Sequence, residues 1–351
     1  MNATDFNNML AVWTAFQGEI KIGPPFVWRK MFASNFGFAN ADYMDAFSIY
    51  TNGKAFNARA SKSASVSYYD TKTRRWVNTN PDTKIAGLNG ENGLYLGNRD
   101  EAIYTSADGV SWRYVGSCYG MAVDNVIDTS TNGTGGIICD WSVATPLYYR
   151  TSLIPSAPWT LVKTLTFTNM LCHKNRYFCL GGMGYPSNPA EMGIYTSSTG
   201  ATWTRMMQFP HGVETGTFSA LKSVGGKLFA QTYTAETGSD VVTDSIGIVN
   251  DTATEYVDVF TITRPRDEPY TARKMPNFNS LLYVDSLKQF MLFDKNVAYV
   301  SADGIAWTAQ PQENFAGYES GKKGFAMYIP NDGIYVKDDH DSNYVWYAPC
   351  L

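Results

Sequence analysis

Along much of the chain, apolar and polar residues alternate in short runs separated by turn-forming residues. In one such run Ile103 and Thr105 alternate with Tyr104 and Ser106, as in a strand with one half-buried face. The Asp-Gly pair that follows predicts a sharp reversal, and the residues leading to Trp112 begin a second strand. The pattern therefore predicts a β-hairpin.

This hairpin recurs along the chain. Residues 104–112 return almost letter for letter as residues 299–307, and a third copy spans residues 195–203. Looser copies with the same eight-residue step lie at residues 68–76 and 248–256. Repetition at this scale indicates an architecture built from one repeated supersecondary unit.

The chain can be divided into seven units, each ending on an aromatic residue. These residues are 36 to 53 positions apart: Trp76, Trp112, Trp159, Trp203, Tyr256, Trp307 and Trp346. An apolar strand precedes the hairpin in each unit, at residues 47–50, 94–96, 137–139, 177–180, 228–230, 290–293 and 325–329. A further short strand lies upstream, for example at residues 121–126. The sequence predicts an all-β fold of seven four-stranded units, with six or eight left open.

Within the hairpin, each recurrent residue type has a structural role. The Asp carboxylate and Ser hydroxyl can accept backbone N–H groups, Gly supplies a positive φ, and Trp covers the outer strands. The residues concerned are Ser106, Asp108, Gly109, Trp112, Ser197, Gly200, Trp203, Ser301, Asp303, Gly304 and Trp307.

These copies resemble the Asp-box, or BNR, repeat of sialidases and many other β-propellers. The usual form is Ser-x-Asp-x-Gly-x-x-Trp, and the present copies are one residue shorter, because Gly109 and Gly304 directly follow the Asp. The resemblance implies a seven-bladed β-propeller of four-stranded blades. It also implies that the box residues fasten the rim and take no part in catalysis.

Residues 4–17 follow a different pattern, with large apolar residues at helical spacing. Thr4 can cap the start of this helix and Gly18 can end it, while Pro24 and Pro25 separate it from the body. One face carries Phe6, Met9, Leu10, Trp13 and Phe16. We therefore predict an N-terminal amphipathic helical arm at residues 1–25 and a propeller at 26–351. The arm either packs on its own propeller or docks on another chain.

Composition limits the classes of partner. The net charge of -4 and the pI of about 5.5 give no basic field for nucleic acid. No apolar stretch is long enough for membrane insertion, and the start lacks an export signal. Together with the abundance of Tyr, Asn, Thr and Gly, the short boxes and the apolar arm, these features resemble virion proteins of tailed bacteriophages, such as tail, fibre or decoration proteins.

Recognition is expected on the long connections, which the strand assignment groups in one sector of one face. These connections are residues 140–146, 181–193, 231–245 and 263–277. They offer ring faces and forked or acceptor groups suited to sugar or protein contact: Trp141, Tyr185, Tyr233, Arg264, Arg266, Asp267, Glu268, Tyr270 and Arg273. The alternative is a solvated loop whose charged residues satisfy each other.

The sequence offers no set of catalytic residues. The Arg-Ile-Pro motif, Arg triad and Tyr-Glu pair of sialidases cannot be carried over, and no carboxylate pair can be chosen from sequence alone. His173, His211 and His340 are too few and too scattered for a zinc site, so neither metal nor cofactor is expected.

These observations lead to one functional hypothesis and one rival. The first is a non-catalytic structural or receptor-recognition protein of a phage virion, held through its arm by other virion proteins, which set its oligomeric state. Its long-loop face would then meet host glycan or a neighbouring subunit. The rival is a glycan-cleaving enzyme, a sialidase-like hydrolase or lyase, that acts in the axial pocket.

Overall fold

In the computed structural model, 22 stretches of the chain are described. They are residues 26–38, 48–51, 56–59, 66–79, 87–91, 94–99, 102–108, 110–117, 123–128, 136–140, 147–150, 160–163, 167–174, 176–181, 191–208, 215–235, 238–265, 276–294, 296–312, 315, 325–337 and 344–350. The predicted N-terminal helix, with Phe6, Met9, Leu10, Trp13 and Phe16, lies outside them. That helix and the boundary at residue 25 therefore stay predictions.

Nearly all the regular structure in these stretches is strand. In chain order the strands are β1 (Arg29–Phe32), β2 (Ser48–Thr51), β3 (Phe56–Arg59), β4 (Val66–Asp70), β5 (Arg75–Thr79), β6 (Gly87–Glu91), β7 (Leu94–Arg99), β8 (Ala102–Ser106), β9 (Arg113–Ser117), β10 (Val123–Asp128), β11 (Gly136–Asp140), β12 (Leu147–Arg150), β13 (Thr160–Lys163) and β14 (Phe167–His173). They continue with β15 (Arg176–Gly181), β16 (Gly193–Ser197), β17 (Thr204–Gln208), β18 (Thr215–Val224), β19 (Lys227–Ala235), β20 (Val241–Val249), β21 (Tyr256–Pro265), β22 (Leu282–Val284), β23 (Gln289–Asp294), β24 (Val297–Ser301), β25 (Thr308–Pro311), β26 (Phe325–Ile329), β27 (Gly333–Lys337) and β28 (Tyr344–Pro349). Two 3₁₀ helices, Ala33–Phe36 and Phe278–Ser280, complete the described elements.

The described strands form seven four-stranded antiparallel sheets. Sheets one to six take consecutive strands: β2–β5, β6–β9, β10–β13, β14–β17, β18–β21 and β22–β25; sheet seven combines β26, β27 and β28 with β1. The first strand of a sheet contacts that of the next at β2 and β6, β6 and β10, β10 and β14, β14 and β18, and β22 and β26, and β26 contacts β2 again. The predicted all-β fold of four-stranded units is confirmed.

Sheet seven departs from the sequence prediction because its outer strand comes from the other end of the chain. β1 pairs antiparallel with β28, with Arg29 opposite Tyr347. Residues 325–329 are therefore the first strand of this sheet, and not the second. Trp346, predicted to end the last unit, lies inside the third strand, so the prediction for this unit is wrong by one strand. Trp28 directly precedes the outer strand, as Trp307 precedes β25. Residues 47–50 were misplaced in the same way, since β2 is the first strand of sheet one.

Apolar side chains fill the spaces between neighbouring sheets. Between sheets seven and one, Trp76 packs against Phe36 at 5.1 Å and Tyr335 at 5.8 Å between ring centroids. Its indole N–H also donates to the Tyr335 hydroxyl over 3.3 Å. Burial of a large apolar side chain of this kind stabilises a fold by about 1.5–3 kcal/mol. The sheets are thus held face to face by their aromatic residues.

The repeated turns have the predicted hydrogen bonds wherever the structure describes them. The Asp303 carboxylate accepts the backbone N–H groups of Ile305 and Ala306 over 2.8 and 3.0 Å and the Ser301 hydroxyl over 3.0 Å. These bonds, with the backbone ones foremost, hold the pKa of Asp303 below its usual value. Asp108 caps its turn in the same way, while Gly109 lies outside the described residues.

In the third copy the turn is closed without an Asp. The Ser197 hydroxyl accepts the Gly200 N–H over 2.7 Å, and the Trp203 indole donates to the Gly200 carbonyl over 2.9 Å. Each of these turns therefore fixes the link between a third and a fourth strand, which is a structural role.

Candidate functional site

Sheet five is longer than the other sheets of the described chain. Its four strands have 10, 9, 9 and 10 residues, whereas the other described strands have three to seven. The pairing continues to Ala235 opposite Val242 and to Val241 opposite Pro265. All four strands are extended at the end where β19 leads to β20. We call residues 215–218, 232–235, 241–245 and 261–265 the sheet-five extension.

Two of the predicted long loops are therefore largely strand. Only residues 236–240 separate β19 from β20, so the loop predicted at 231–245 is wrong, and β21 continues through Pro265 into the loop predicted at 263–277. The physical reason is the β-branched content of these segments. Thr and Val favour a pleated, half-buried surface, because both have a branched Cβ.

One face of the extension contains a buried ion pair. The Arg264 Nε donates to the Asp244 Oδ2 over 2.8 Å, and the two side chains are only 6% and 4% exposed. A buried charge is costly unless it is paired, so this arginine is committed to its partner. Arg264 was predicted to bind ligand, and the structure places it in this pair, with its side chain buried in the sheet. Tyr233, also predicted to bind ligand, lies opposite Asp244 in the register and is half-buried.

The other face of the extension carries hydroxyl groups on three adjacent strands. Cross-strand partners share a face, as do residues two apart, which places six hydroxyls together: Thr232, Thr234, Thr243, Ser245, Thr261 and Thr263. Thr243 and Thr263 lie 3.4 Å apart at their Oγ1 atoms, and Ser245 Oγ lies 3.2 Å from Thr261 Oγ1. Thr261 and Thr263 are exposed on the outer strand. This face is polar, uncharged and open to solvent along one edge.

The remaining predicted ligand-binding residues lie outside the described part of the chain. They are Trp141, Tyr185, Arg266, Asp267, Glu268, Tyr270 and Arg273. Of the nine predicted residues, the structure thus places only Tyr233 and Arg264, and it places both on the same face of the extension.

A polar cluster that the sequence did not predict lies between sheets four and five. His173 Nδ1 is 2.8 Å from Ser223 Oγ, and its Nε2 is 3.2 Å from Asp251 Oδ1. Lys174 Nζ donates to the other carboxylate oxygen of Asp251 over 2.6 Å. These hydrogen bonds, that of Lys174 first and that of His173 second, lower the pKa of Asp251. No local sequence motif predicts the cluster, because Ser223 and Asp251 lie 50 and 78 residues after His173.

The described stretches contain neither a metal-binding cluster nor a membrane-spanning helix. Within them, no group of three or more His, Cys, Asp or Glu side chains is arranged to hold a metal ion. No helix there has the length and apolar character needed to cross a membrane.

Comparison with known proteins concerns the fold. No family model matches the chain, and no curated protein matches it. A structure of oligogalacturonate lyase in complex with manganese is similar over 93% of this chain and 97% of its own, with a TM-score of 0.56 and 11% identity. The fold is of the β-propeller type. Apo AztD from Citrobacter koseri is similar over 83% of this chain and 79% of its own (TM-score 0.47, 12% identity), and a TolB structure from Agrobacterium tumefaciens over 61% and 79% (TM-score 0.40, 10% identity).

The first of these structures corrects one expectation from the sequence. The propeller was predicted to be non-catalytic, yet a protein of the same fold over 93% of this chain is an enzyme. The prediction of a non-enzyme is therefore wrong as an inference from this architecture. At 11% identity the likeness shows the fold alone, so it assigns neither a reaction nor a residue.

Proposed function

We propose that the seven sheets are the blades of one seven-bladed β-propeller of the Asp-box kind. The first strands of sheets one to five contact one another in order, and sheets five and six share a buried core. β22 then contacts β26, and β26 contacts β2, which supports a closed ring. The pairing of β1 with β28 supports it further, because the first and last parts of the body then share a blade. Closure of this kind removes long unpaired sheet edges.

On this frame, we infer that the protein is a recognition component of a tailed-bacteriophage particle. The observation that carries the proposal is the sheet-five extension, which lengthens one blade toward the side of the predicted long loops. Its uncharged hydroxyl face supplies both donors and acceptors, which suits the hydroxyls of a host glycan or the backbone of a neighbouring subunit. A rigid extended sheet can present such groups without the entropy cost of ordering a loop.

Attachment to the particle is proposed for residues 1–25. The chain enters the body at Phe26 and Trp28, which are buried between sheets six and seven. Trp28 stacks on Phe315 at 4.4 Å between ring centroids, and β1 then pairs with β28. An arm attached at this point would be held firmly by the buried residues between sheets six and seven. The apolar face of its predicted helix would meet another virion protein.

The first experiment tests the arm. Deleting residues 2–22 is expected to abolish incorporation into particles while the truncated protein stays folded, because the body begins with buried residues at Phe26. Incorporation is measured by quantitative mass spectrometry of purified particles. Normal incorporation of the truncated chain would reject the docking role.

The second experiment tests the extension as a binding surface. Purified protein is applied to an array of bacterial surface polysaccharides, and the variant Thr261→Lys with Thr263→Lys is expected to lose binding because the long side chains cover the hydroxyl face. Ile305→Lys is the matched control, since Ile305 is 55% exposed and lies in the turn of sheet six. Equal binding by both variants would contradict the proposal that polysaccharide binds to the hydroxyl face. A reducing-end assay of each bound polysaccharide tests the rival, glycan cleavage, in the same samples.

A further inference from the structure

His173, Ser223 and Asp251 have the connectivity of a nucleophile, a base and an orienting carboxylate. Ser223 is exposed, His173 is 2% exposed, and the Asp251 side chain is 56% exposed. The serine hydroxyl lies 2.8 Å from one imidazole nitrogen, and the carboxylate lies 3.2 Å from the other. Such a constellation is recognised by geometry and roles, whatever the fold or the order in the chain.

The carboxylate fixes which imidazole nitrogen is the base. An ionised Asp251 accepts only, so Nε2 must carry the proton that it donates to Oδ1. Nδ1 then has a free lone pair directed at the Ser223 hydroxyl. Lys174, which donates to Oδ2, holds the carboxylate ionised and in place. The neutral imidazole is therefore in the tautomer that can take a proton from serine.

The turn of sheet five that contains Asp251 differs in sequence from the repeated turns. In the two most similar boxes Asp108 and Asp303 cap their own turns. In sheet five Asn250 performs that role, since its Oδ1 accepts the N–H of Thr254 over 2.8 Å. The next residue, Asp251, extends across to His173 in sheet four.

The Ser223 side chain is exposed to solvent near a turn. Ser223 is followed by the turn that joins β18 to β19, where Gly226 has φ +74° and a Cβ built on it would have no heavy atom within 4 Å. Because Ser223 is itself exposed, a small acyl compound can approach it from solvent on the side of the sheet that carries this turn. This side is opposite to the sheet-five extension, because β19 runs from one to the other.

We propose that Ser223 is a nucleophile activated by His173 and oriented by Asp251, with small carboxylic esters as its substrates. Ser223 Oγ attacks the ester carbonyl carbon and passes its proton to His173 Nδ1 as the Oγ–C bond forms. The C–O bond to the alcohol then breaks, and the alcohol leaves with the proton from Nδ1. Water next gives a proton to Nδ1 and attacks the acyl carbon, which releases the acid as Ser223 recovers its proton. Asp251 stays ionised throughout and accepts a hydrogen bond from the Nε2–H group, which keeps its proton.

The full chain is tested with a fluorophosphonate probe and with 4-nitrophenyl acetate. Peptide mass spectrometry is expected to find the phosphonyl group on Ser223, and 4-nitrophenol is expected to be released with an initial burst. Ser223→Ala should abolish both signals, and Asp251→Asn should slow acylation by about 100-fold or more, because the wrong tautomer is then stabilised. The control is Ser219→Ala, an exposed serine on the same strand, which should react as the parent does.

Because Ser223 is exposed, its replacement by alanine should leave the protein folded. The unfolding midpoint of each variant checks this. An unlabelled Ser223 in the folded parent, or equal ester turnover by Ser223→Ala, overturns the proposal and leaves the three side chains as a link between sheets. Ser223→Ala is expected to keep polysaccharide binding and particle incorporation, so failure here is distinguishable from failure of the recognition function.

Discussion

The indole N–H of Trp28 donates to the side-chain oxygen of Gln312 over 3.0 Å, a bond that joins residues 284 positions apart in the chain. Both residues are buried, and Trp28 also meets Phe293 edge-on at 5.6 Å. The contact connects the segment before β1 to the segment after β25. It therefore holds the first residues of the body against sheet six, and we call this contact between Trp28 and Gln312 the seam.

Trp28→Ala is expected to lower the free energy of unfolding by about 3–5 kcal/mol, the usual cost of removing a buried Trp or Phe side chain. Gln312→Ala should cost about 1–3 kcal/mol, because it leaves the indole N–H buried without this acceptor. Urea unfolding followed by tryptophan fluorescence measures both. Val27→Ala is the control, since Val27 is 78% exposed, and a change as large as that of Trp28→Ala would contradict the seam.

A second prediction concerns the buried pair of Arg264 and Asp244. Arg264→Ala should destabilise the protein by about 3–5 kcal/mol because it leaves a buried carboxylate without its cation. Replacing both residues, as Asp244→Leu with Arg264→Met, should restore most of that loss, since no charge then remains buried. Urea unfolding midpoints of the single and double variants form the comparison. If Arg264 instead binds a ligand, Arg264→Ala would leave stability unchanged and abolish binding.

The pairing of these two residues marks a limit of sequence reasoning. The repeated hairpins could be predicted because strand, turn and closing aromatic lie within nine consecutive residues, and local pattern decides such a unit. The pairing of Arg264 could not be predicted because its partner is 20 residues away and the Thr-rich strands between them resemble polar loops in composition. Threonine is polar in sequence, yet its branched Cβ favours strands.

The pairing of strands from distant parts of the chain could not be predicted from the sequence either. Arg29 pairs with Tyr347 at opposite ends of the body, and nothing local to either residue indicates the other. The cluster of His173, Ser223 and Asp251 arises because consecutive units place the ends of their strands side by side. The only signal in the sequence is that His173 and Ser223 occupy similar positions in successive units, near the end of the first strand.

The pKa of Asp303 predicts a dependence of stability on pH. Its folded-state pKa is lowered by the N–H groups of Ile305 and Ala306 and then by Ser301, so the folded state favours the ionised form. The resulting stabilisation is present above the unfolded pKa of about 3.9 and is lost as the pH falls through the lower folded-state value. Asp303→Ala should therefore be less stable than the parent at pH 7, and the difference should shrink as the pH falls below about 4. Thermal unfolding at pH 7, 5 and 3 measures it. A difference that stays constant over this range would show that the charge is not involved.

The last prediction separates backbone strain from steric contact at two glycines that have nearly the same conformation. Gly304 has φ +73° and Gly226 has φ +74°, so alanine is strained at either position by about 1–2 kcal/mol. A Cβ at Gly304 would also lie 2.9 Å from Cζ of Phe229, a ring fully buried between sheets five and six, whereas a Cβ at Gly226 meets nothing within 4 Å. Gly304→Ala should accordingly lose more stability than Gly226→Ala, and the excess measures the packing of the turn against the preceding sheet. Urea unfolding of the two variants gives this difference directly. Equal losses would mean that Phe229 moves aside without cost, and the turn would then contribute little to holding the two sheets together.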